Sequence, residues 1–548
     1  MTRRFSATLS SRPPVGRNLL LFSLGFWAVP APALELCWVF GSGMVLQAER
    51  PVPVWGRAAP SEEVTVSFAG QTKSAKADAQ GDWAIKLDPL PPSANPRMMR
   101  IHGSIEERTS EIENILVGDV WLCAGQSNMM QPELAQAKDG AAEVAGANVP
   151  LLRRFQVPNI WAAEPQTTNF PGKKITNWYT WTQCTPETAR RWAAVQYFFG
   201  RAVQRETGRP IGLISVALGA SSAEAWVPAE ALAAEPRFAE FVANSHRWIA
   251  GAATQREAFS RRVADWEQRK REAESSGAPF SERRPSDITP ETFPRWWAGV
   301  LYNAMVAPLR NFAVKGVVWY QGENNAARHA GCAGDRDGYT QLMTLLIHEW
   351  RRIFEQPELP FYQVQLANMW KPDADPNALS TWAEIREAQA RVAATVPRTG
   401  LAVAIDVGEA DNIHPNNKRP VGERLALLAL RDVYGKAVQA YGPEYASHAT
   451  DGNRVRVRFR HVDGGLRSSA GDKLTAFAVA GEDRRFVWAE ARIEGDEVVV
   501  WGDGIARPVA VRYAFASNPT ACLYNAAGLP AAPFRTDAWP LPQPEKKP

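Results

Sequence analysis

Between about residue 115 and residue 440 the chain alternates apolar runs of strand length with helix-forming stretches. No other feature constrains the fold as much. The runs are 117–124, 211–218, 314–320, 361–366 and 401–407, each followed by glycine, serine or asparagine and then a helix-like segment. Strands joined in this way lie parallel, with helices on both faces of the sheet. Such a sheet binds ligands beyond the carboxyl ends of its strands. The residues that follow each run are therefore where chemistry is to be sought.

The flanks read differently. Residues 35–113 carry short β-like runs, Val52-Pro53-Val54-Trp55-Gly56, Val64-Thr65-Val66-Ser67-Phe68 and Trp83-Ala84-Ile85-Lys86-Leu87, parted by turn formers such as Gly70 and Gly81. They predict an N-terminal β-sandwich. Residues 441–538 return to that pattern and predict a C-terminal β domain, which leaves 114–440 as the catalytic domain. With 548 residues the chain has room for roughly three or four domains. An insertion is expected at about 229–295. There Phe259, Val263 and Trp266 share one helical face opposite Arg261, Arg262, Glu267, Arg269, Lys270 and Arg271. Ser275-Ser276-Gly277 ends that helix. The proline- and lysine-rich residues 539–548 predict a disordered tail.

The amino terminus reads as an export signal, 1–33. Arg3, Arg4, Arg12 and Arg17 precede an apolar stretch at 19–29, and Ala31-Pro32-Ala33 supplies a small-x-small cleavage pattern. Cleavage near Ala33 would deliver the protein to the periplasm or the outside. A membrane anchor is the alternative, but the uncharged run 18–34 is short for a span, so no stable membrane insertion is expected. A net charge of +4 on 62 basic and 58 acidic residues gives no electrostatic case for nucleic acid. Five cysteines leave at least one thiol unpaired within the monomer. No oligomeric state is specified.

The first run delivers Gly125-Gln126-Ser127-Asn128-Met129, with helix formers from Pro132 to Ala137 beyond it. A serine on a strand-to-helix turn has an exposed hydroxyl, and its N–H sits where a developing oxyanion is stabilised. The second run ends at Leu218-Gly219-Ala220-Ser221-Ser222. Ser221 and Glu224 fit a capping box, and Gly219 either makes the turn or offers its N–H to a substrate. The third ends at Gln321-Gly322-Glu323-Asn324-Asn325. Its amides are neutral oxyanion donors, Glu323 can position neighbours, and helix capping is the plainer alternative. The fifth run leads to Asp411-Asn412-Ile413-His414. Of seven histidines, His414 alone lies in a loop after a central strand with a carboxylate three residues earlier. Asp411 could orient the imidazole, which could then activate a serine that is otherwise protonated at neutral pH.

Metal ligand spacings and a phosphate-cradling loop are absent, so no metal or cofactor is expected. The 21 tryptophans are numerous, and Trp121, Trp226, Trp319, Trp370 and Trp382 flank the expected edge, where one or two could meet a sugar ring.

Taken together, Gly125-Gln126-Ser127-Asn128-Met129, Trp319-Tyr320-Gln321-Gly322-Glu323 and Asn412-Ile413-His414-Pro415 with Lys418 and Gly422-Glu423-Arg424-Leu425 resemble the sialate O-acetylesterases of the SGNH-hydrolase superfamily. Gly43-Met44-Val45-Leu46-Gln47 and Leu523-Tyr524-Asn525 extend the resemblance to both flanks. It implies a central three-layer SGNH-type domain and a metal-independent serine esterase acting on acetylated sugars: sialic acid, xylan or another plant glycan. Ser127 matches the family nucleophile, His414 its base, Asp411 the acid, and Gly219 the second-block glycine. The third oxyanion donor stays open between Gln321 and Asn324. Two rival readings accompany this one. The first is a glycoside hydrolase using Glu323 and Asp411. The second is a sugar-binding protein without catalysis.

Overall fold

The computed structural model describes residues 34–105, 107–167, 180–287, 296–327 and 332–541. The expected signal, 1–33, and most of the expected tail, 542–548, lie outside the described residues. The central sheet contains β1 (Thr109–Gly125), β2 (Val149–Gln156), β3 (Thr182–Cys184), β4 (Ile211–Ala217), β5 (Gly316–Tyr320), β6 (Phe361–Val364) and β7 (Thr399–Ala402). Their spatial order is β3-β2-β4-β1-β5-β6-β7, and every neighbouring pair is parallel except β2 with β3 at the edge. The five expected strands are present, although β7 stops at Ala402 and leaves 403–418 as a long loop.

Side chains of β1 alternate between two cores, as strand geometry requires. Val120, Leu122 and Ala124 join one cluster, and Trp121 and Cys123 join the other. The first cluster takes the apolar faces of α5 (Arg336–Ile353) and α6 (Thr381–Thr395). The second takes α2 (Ala194–Thr207) and α7 (Arg419–Asp432). The caps explain where these helices begin and end. Asp335 accepts from the Gly338 N–H at 2.9 Å and Ser380 from that of Ala383 at 3.1 Å, while Gly208 closes α2 at φ 67°. Burial pushes the Cys123 thiol up to about 12, which makes it an inert core group. All five cysteines are unpaired.

No break separates the N-terminal β region from this sheet. β1 runs through the expected boundary at 113–114. Its first half pairs with Ser93–Gly103 and its second half with β4 and β5. The insertion is helical, with α3 (Pro236–Ala250) and α4 (Ala252–Ser276). No residue of α4 is buried; the returning chain covers part of its apolar stripe, with Phe280 packed on Trp266 at 5.6 Å. The C-terminal region forms two four-stranded sheets and a two-stranded ribbon around their own core. Arg386 of α6 fastens that region to the catalytic rim. Its buried guanidinium donates to the carbonyls of Leu366, Ala367, Ala516 and Ser517 at 2.6–3.0 Å. Among the described residues no helix is long and apolar enough to cross a membrane.

Candidate active site

The sheet register sets the site. Gly125, the last residue of β1, pairs with Ala217 of β4 on one side and Tyr320 of β5 on the other. The segments that follow these three strands therefore leave the sheet at the same level of the same rim. Gly125 has φ 133°, and a Cβ there would lie 2.2 Å from the Tyr320 carbonyl oxygen. Only glycine permits this turn. It leads into α1 (Ser127–Met130), a single turn that begins with the half-buried Ser127. Of the helix expected beyond it over 132–137, only a 3₁₀ turn at Leu134–Gln136 forms.

Gly219 lies beside the serine, and a Cβ built on it would be 3.6 Å from Ser127 Cβ. That is ordinary contact, and no backbone strain requires glycine at this position. The expected capping box does not form. The buried Glu224 instead accepts from the N–H groups of Cys332 and Ala333 at 2.9 and 3.2 Å and from Asn325 at 3.0 Å. Ser221 Oγ accepts from the Trp226 indole at 3.0 Å.

The third segment separates the two amide candidates. Gln321 Nε2 donates to the Ser221 carbonyl at 3.1 Å and to Asn325 Oδ1 at 2.8 Å, so both of its hydrogens are committed. Its Oε1 accepts from Tyr339 at 2.8 Å. Gln321 therefore has no hydrogen left for an oxyanion. Asn324 Nδ2, by contrast, is buried with no partner among the described residues, while its backbone N–H donates to Gln126 Oε1, one residue from Ser127, at 3.3 Å. An unpaired buried donor is costly in a folded protein and calls for a role.

His414 is half-buried in the loop after β7. That loop is fixed to the serine turn by one buried side chain that sequence reasoning left without a role. Asn128 Nδ2 donates to the Ile413 carbonyl at 2.9 Å and also to Glu323 Oε1, and Asn128 Oδ1 accepts from Lys418 Nζ. Lys418 is buried, lies 5.2 Å from the Tyr320 ring centroid, and is pushed down to about 7 by that burial against the pull of Glu323. Burial raises the Glu323 carboxyl. Burial and then the Lys418 charge lower the His414 imidazole, favouring its neutral form, the one that accepts a proton.

Asp411 is not where the spacing led. It is exposed and makes no hydrogen bond or ion pair among the described residues. Glu409 shapes the loop instead, accepting from Asn412 Nδ2 at 2.9 Å and the Asn416 N–H at 2.7 Å. Asn412 Oδ1 takes the His414 N–H at 3.0 Å. The same facts weaken the carboxylate pair of a glycoside hydrolase, since Glu323 is bound by Asn128 and Asp411 faces water. Of the flanking tryptophans, Trp121, Trp226, Trp319 and Trp382 are core, and Trp370 alone is exposed, at 44%.

The chain is similar to known carbohydrate esterases. A family model described as carbohydrate esterase, sialic acid-specific acetylesterase, matches residues 117–253 and 289–431, leaving out most of α4. The chain is 30% identical to the sialate O-acetylesterase of Rattus norvegicus over 77% of this chain and 78% of that protein. For the Mus musculus sialate O-acetylesterase the identity is 28%, over 90% and 92%. A solved structure of a carbohydrate acetylesterase from Xanthomonas citri is 36% identical and superposes with a TM-score of 0.76, covering 92% of this chain and all of that one.

Proposed function

Because the chain belongs to the carbohydrate esterase family of sialic acid-specific acetylesterases, and so removes O-acetyl groups from sugars, we propose that Ser127 and His414 are its working pair. The observation that carries this reading is the Asn128 bond to the Ile413 carbonyl, which ties the serine turn to the histidine loop. The Ser127 hydroxyl attacks the acetyl carbonyl carbon while the His414 imidazole takes its proton. The oxyanion is held by the N–H groups of Ser127 and Gly219 and by Asn324 Nδ2. On collapse, His414 returns the proton to the departing sugar oxygen. Water, activated by the same imidazole, then releases acetate and restores the serine. Asp411 has no part in this scheme.

The central sheet with its two cores supports a three-layer SGNH-type domain flanked by sandwich-like β regions. The basic lead and apolar run in 1–33 support export with cleavage near Ala33, which N-terminal sequencing of the secreted protein would test. The decisive assay measures acetate released from a panel of acetylated sugars, including sialic acid and xylan. Turnover that survives Ser127→Ala would end the mechanism.

A further inference from the structure

The chain that leaves β6 at the active rim touches the His414 loop and, at Pro372 and Asp373, lines a cavity shared with the C-terminal region. The Trp370 N–H donates to the Ala410 carbonyl at 2.9 Å, which joins this segment to the histidine loop. The Trp370 carbonyl accepts from the Asn518 side chain, which joins it to the C-terminal region. Four residues on, the Ala374 carbonyl accepts the Trp488 indole N–H at 2.9 Å.

Trp488 is thus anchored along one edge, yet it is 44% exposed and stacks on no ring among the described residues. It lines a cavity of about 310 Å³ together with Asp373, Lys473, Leu474 and Glu490, a volume at the small end for ligand pockets. The Lys473 ammonium and the Glu490 carboxylate make no hydrogen bond or ion pair among the described residues. A flat aromatic face, with a donor and an acceptor of opposite charge at its margin, matches a neutral sugar ring. Such a ring offers C–H groups on one face and hydroxyls around its edge. The half-exposed Trp370 is bonded both to Ala410 of the histidine loop and to Asn518, which lines this cavity. Four residues of extended chain, at most about 14 Å, separate it from the anchor of Trp488.

We propose that this cavity is a sugar subsite, in which Trp488 of the C-terminal region stacks against a ring of the glycan chain beyond the acetylated one. The inference rests on the esterase reading and adds that the preferred substrate is an oligosaccharide rather than a single sugar.

The test compares wild type, Trp488→Ala and Trp488→Phe on 4-nitrophenyl acetate and on acetylated sugars of the β-1,4-xylan and β-1,4-glucan series, from single sugars to hexasaccharides. Wild-type kcat/KM should rise with chain length in at least one series. Trp488→Ala should remove that rise through a KM increase of about five- to tenfold, and Trp488→Phe should restore part of it. Hydrolysis of 4-nitrophenyl acetate should be unchanged in both variants, which also shows that they fold. A wild-type rate independent of chain length, or a rise that persists in Trp488→Ala, overturns the subsite. Loss of 4-nitrophenyl acetate hydrolysis in the wild type itself would instead overturn the esterase reading.

Discussion

Asn128 donates a hydrogen bond to the carbonyl of Ile413 at 2.9 Å, so the residue after the candidate nucleophile holds the residue before the candidate base. The same side chain lies between a buried carboxyl, Glu323, and a buried ammonium, Lys418. A clamp of this kind fixes the relative position of two groups that are almost three hundred residues apart in the chain. Positional error of about 1 Å between reacting groups costs on the order of 100-fold in rate.

Asn128→Ala should therefore lower kcat by about 10- to 100-fold while leaving KM for a small ester within about twofold. It should also lower stability by about 3–5 kcal/mol, because Glu323 and Lys418 lose the group that joins them inside the protein. Steady-state kinetics and urea unfolding measure the two effects separately. A variant of normal kcat would show that the clamp is structural only.

Ser127→Ala and His414→Ala should each lower kcat by about 10⁴-fold or more. Asp411→Asn should stay within about threefold of wild type, because that carboxylate is exposed and does not touch the imidazole. A loss with Asp411→Asn comparable to that of His414→Ala would restore a full triad and require the loop to rearrange on binding substrate.

The pH profile follows from the direction of the His414 shift. The base must be neutral to accept the serine proton, and its pKa is held below the ordinary 6.5 by burial and by Lys418. The acid limb of kcat/KM should accordingly lie below pH 6.5. Lys418→Met removes the positive charge and should move that limb upward. Lys418 itself sits at about 7 against an ordinary 10.5. Between those values the unfolded chain binds the proton and the folded chain does not, so this residue's contribution to stability is fully present above 10.5 and is lost as pH falls through about 7. Thermal melts should show the wild type losing ground to Lys418→Met across that window.

Much of this site was legible because its elements are local. The apolar run ending at Gly125 and the residues beyond it identify a strand, a tight turn and a serine, and the sheet register brings Gly219 and Asn324 to that rim. What was illegible depends on partners far away in the chain. β2 was not anticipated because Pro150, Arg153 and Arg154 interrupt its apolar pattern. In the fold Arg153 is buried, donating to the Gly43 carbonyl at 3.0 Å and to Asn114 at 3.2 Å. Glu224 looked like a cap because its spacing from Ser221 is right, yet its carboxylate serves a loop more than a hundred residues away. Asp411 was expected at the site from its spacing to His414, and spacing does not say which carboxylate a loop turns inward; the loop bonds Glu409 instead.

The two third-segment amides separate most cleanly by kinetics. Asn324 Nδ2 is a buried donor without a partner among the described residues, and an oxyanion is the acceptor that would complete it. A donor of this kind acts mainly on the transition state, where the carbonyl oxygen carries charge. Asn324→Ala should lower kcat by about 10²- to 10³-fold with little change in KM. Because Nδ2 makes no hydrogen bond among the described residues, the melting temperature should hold or rise. Gln321→Ala should do the reverse. It removes one hydrogen bond from the Tyr339 hydroxyl, which keeps the carbonyl of residue 321, and one from Asn325 Oδ1, which keeps the Ala223 N–H, so stability should fall by about 0.5–1.5 kcal/mol per lost bond. Its kcat, measured on the folded fraction, should fall far less than that of Asn324→Ala. If Gln321→Ala folds normally and loses the larger share of kcat, the oxyanion donor is Gln321, and its bonds to Ser221 and Asn325 must open when substrate binds.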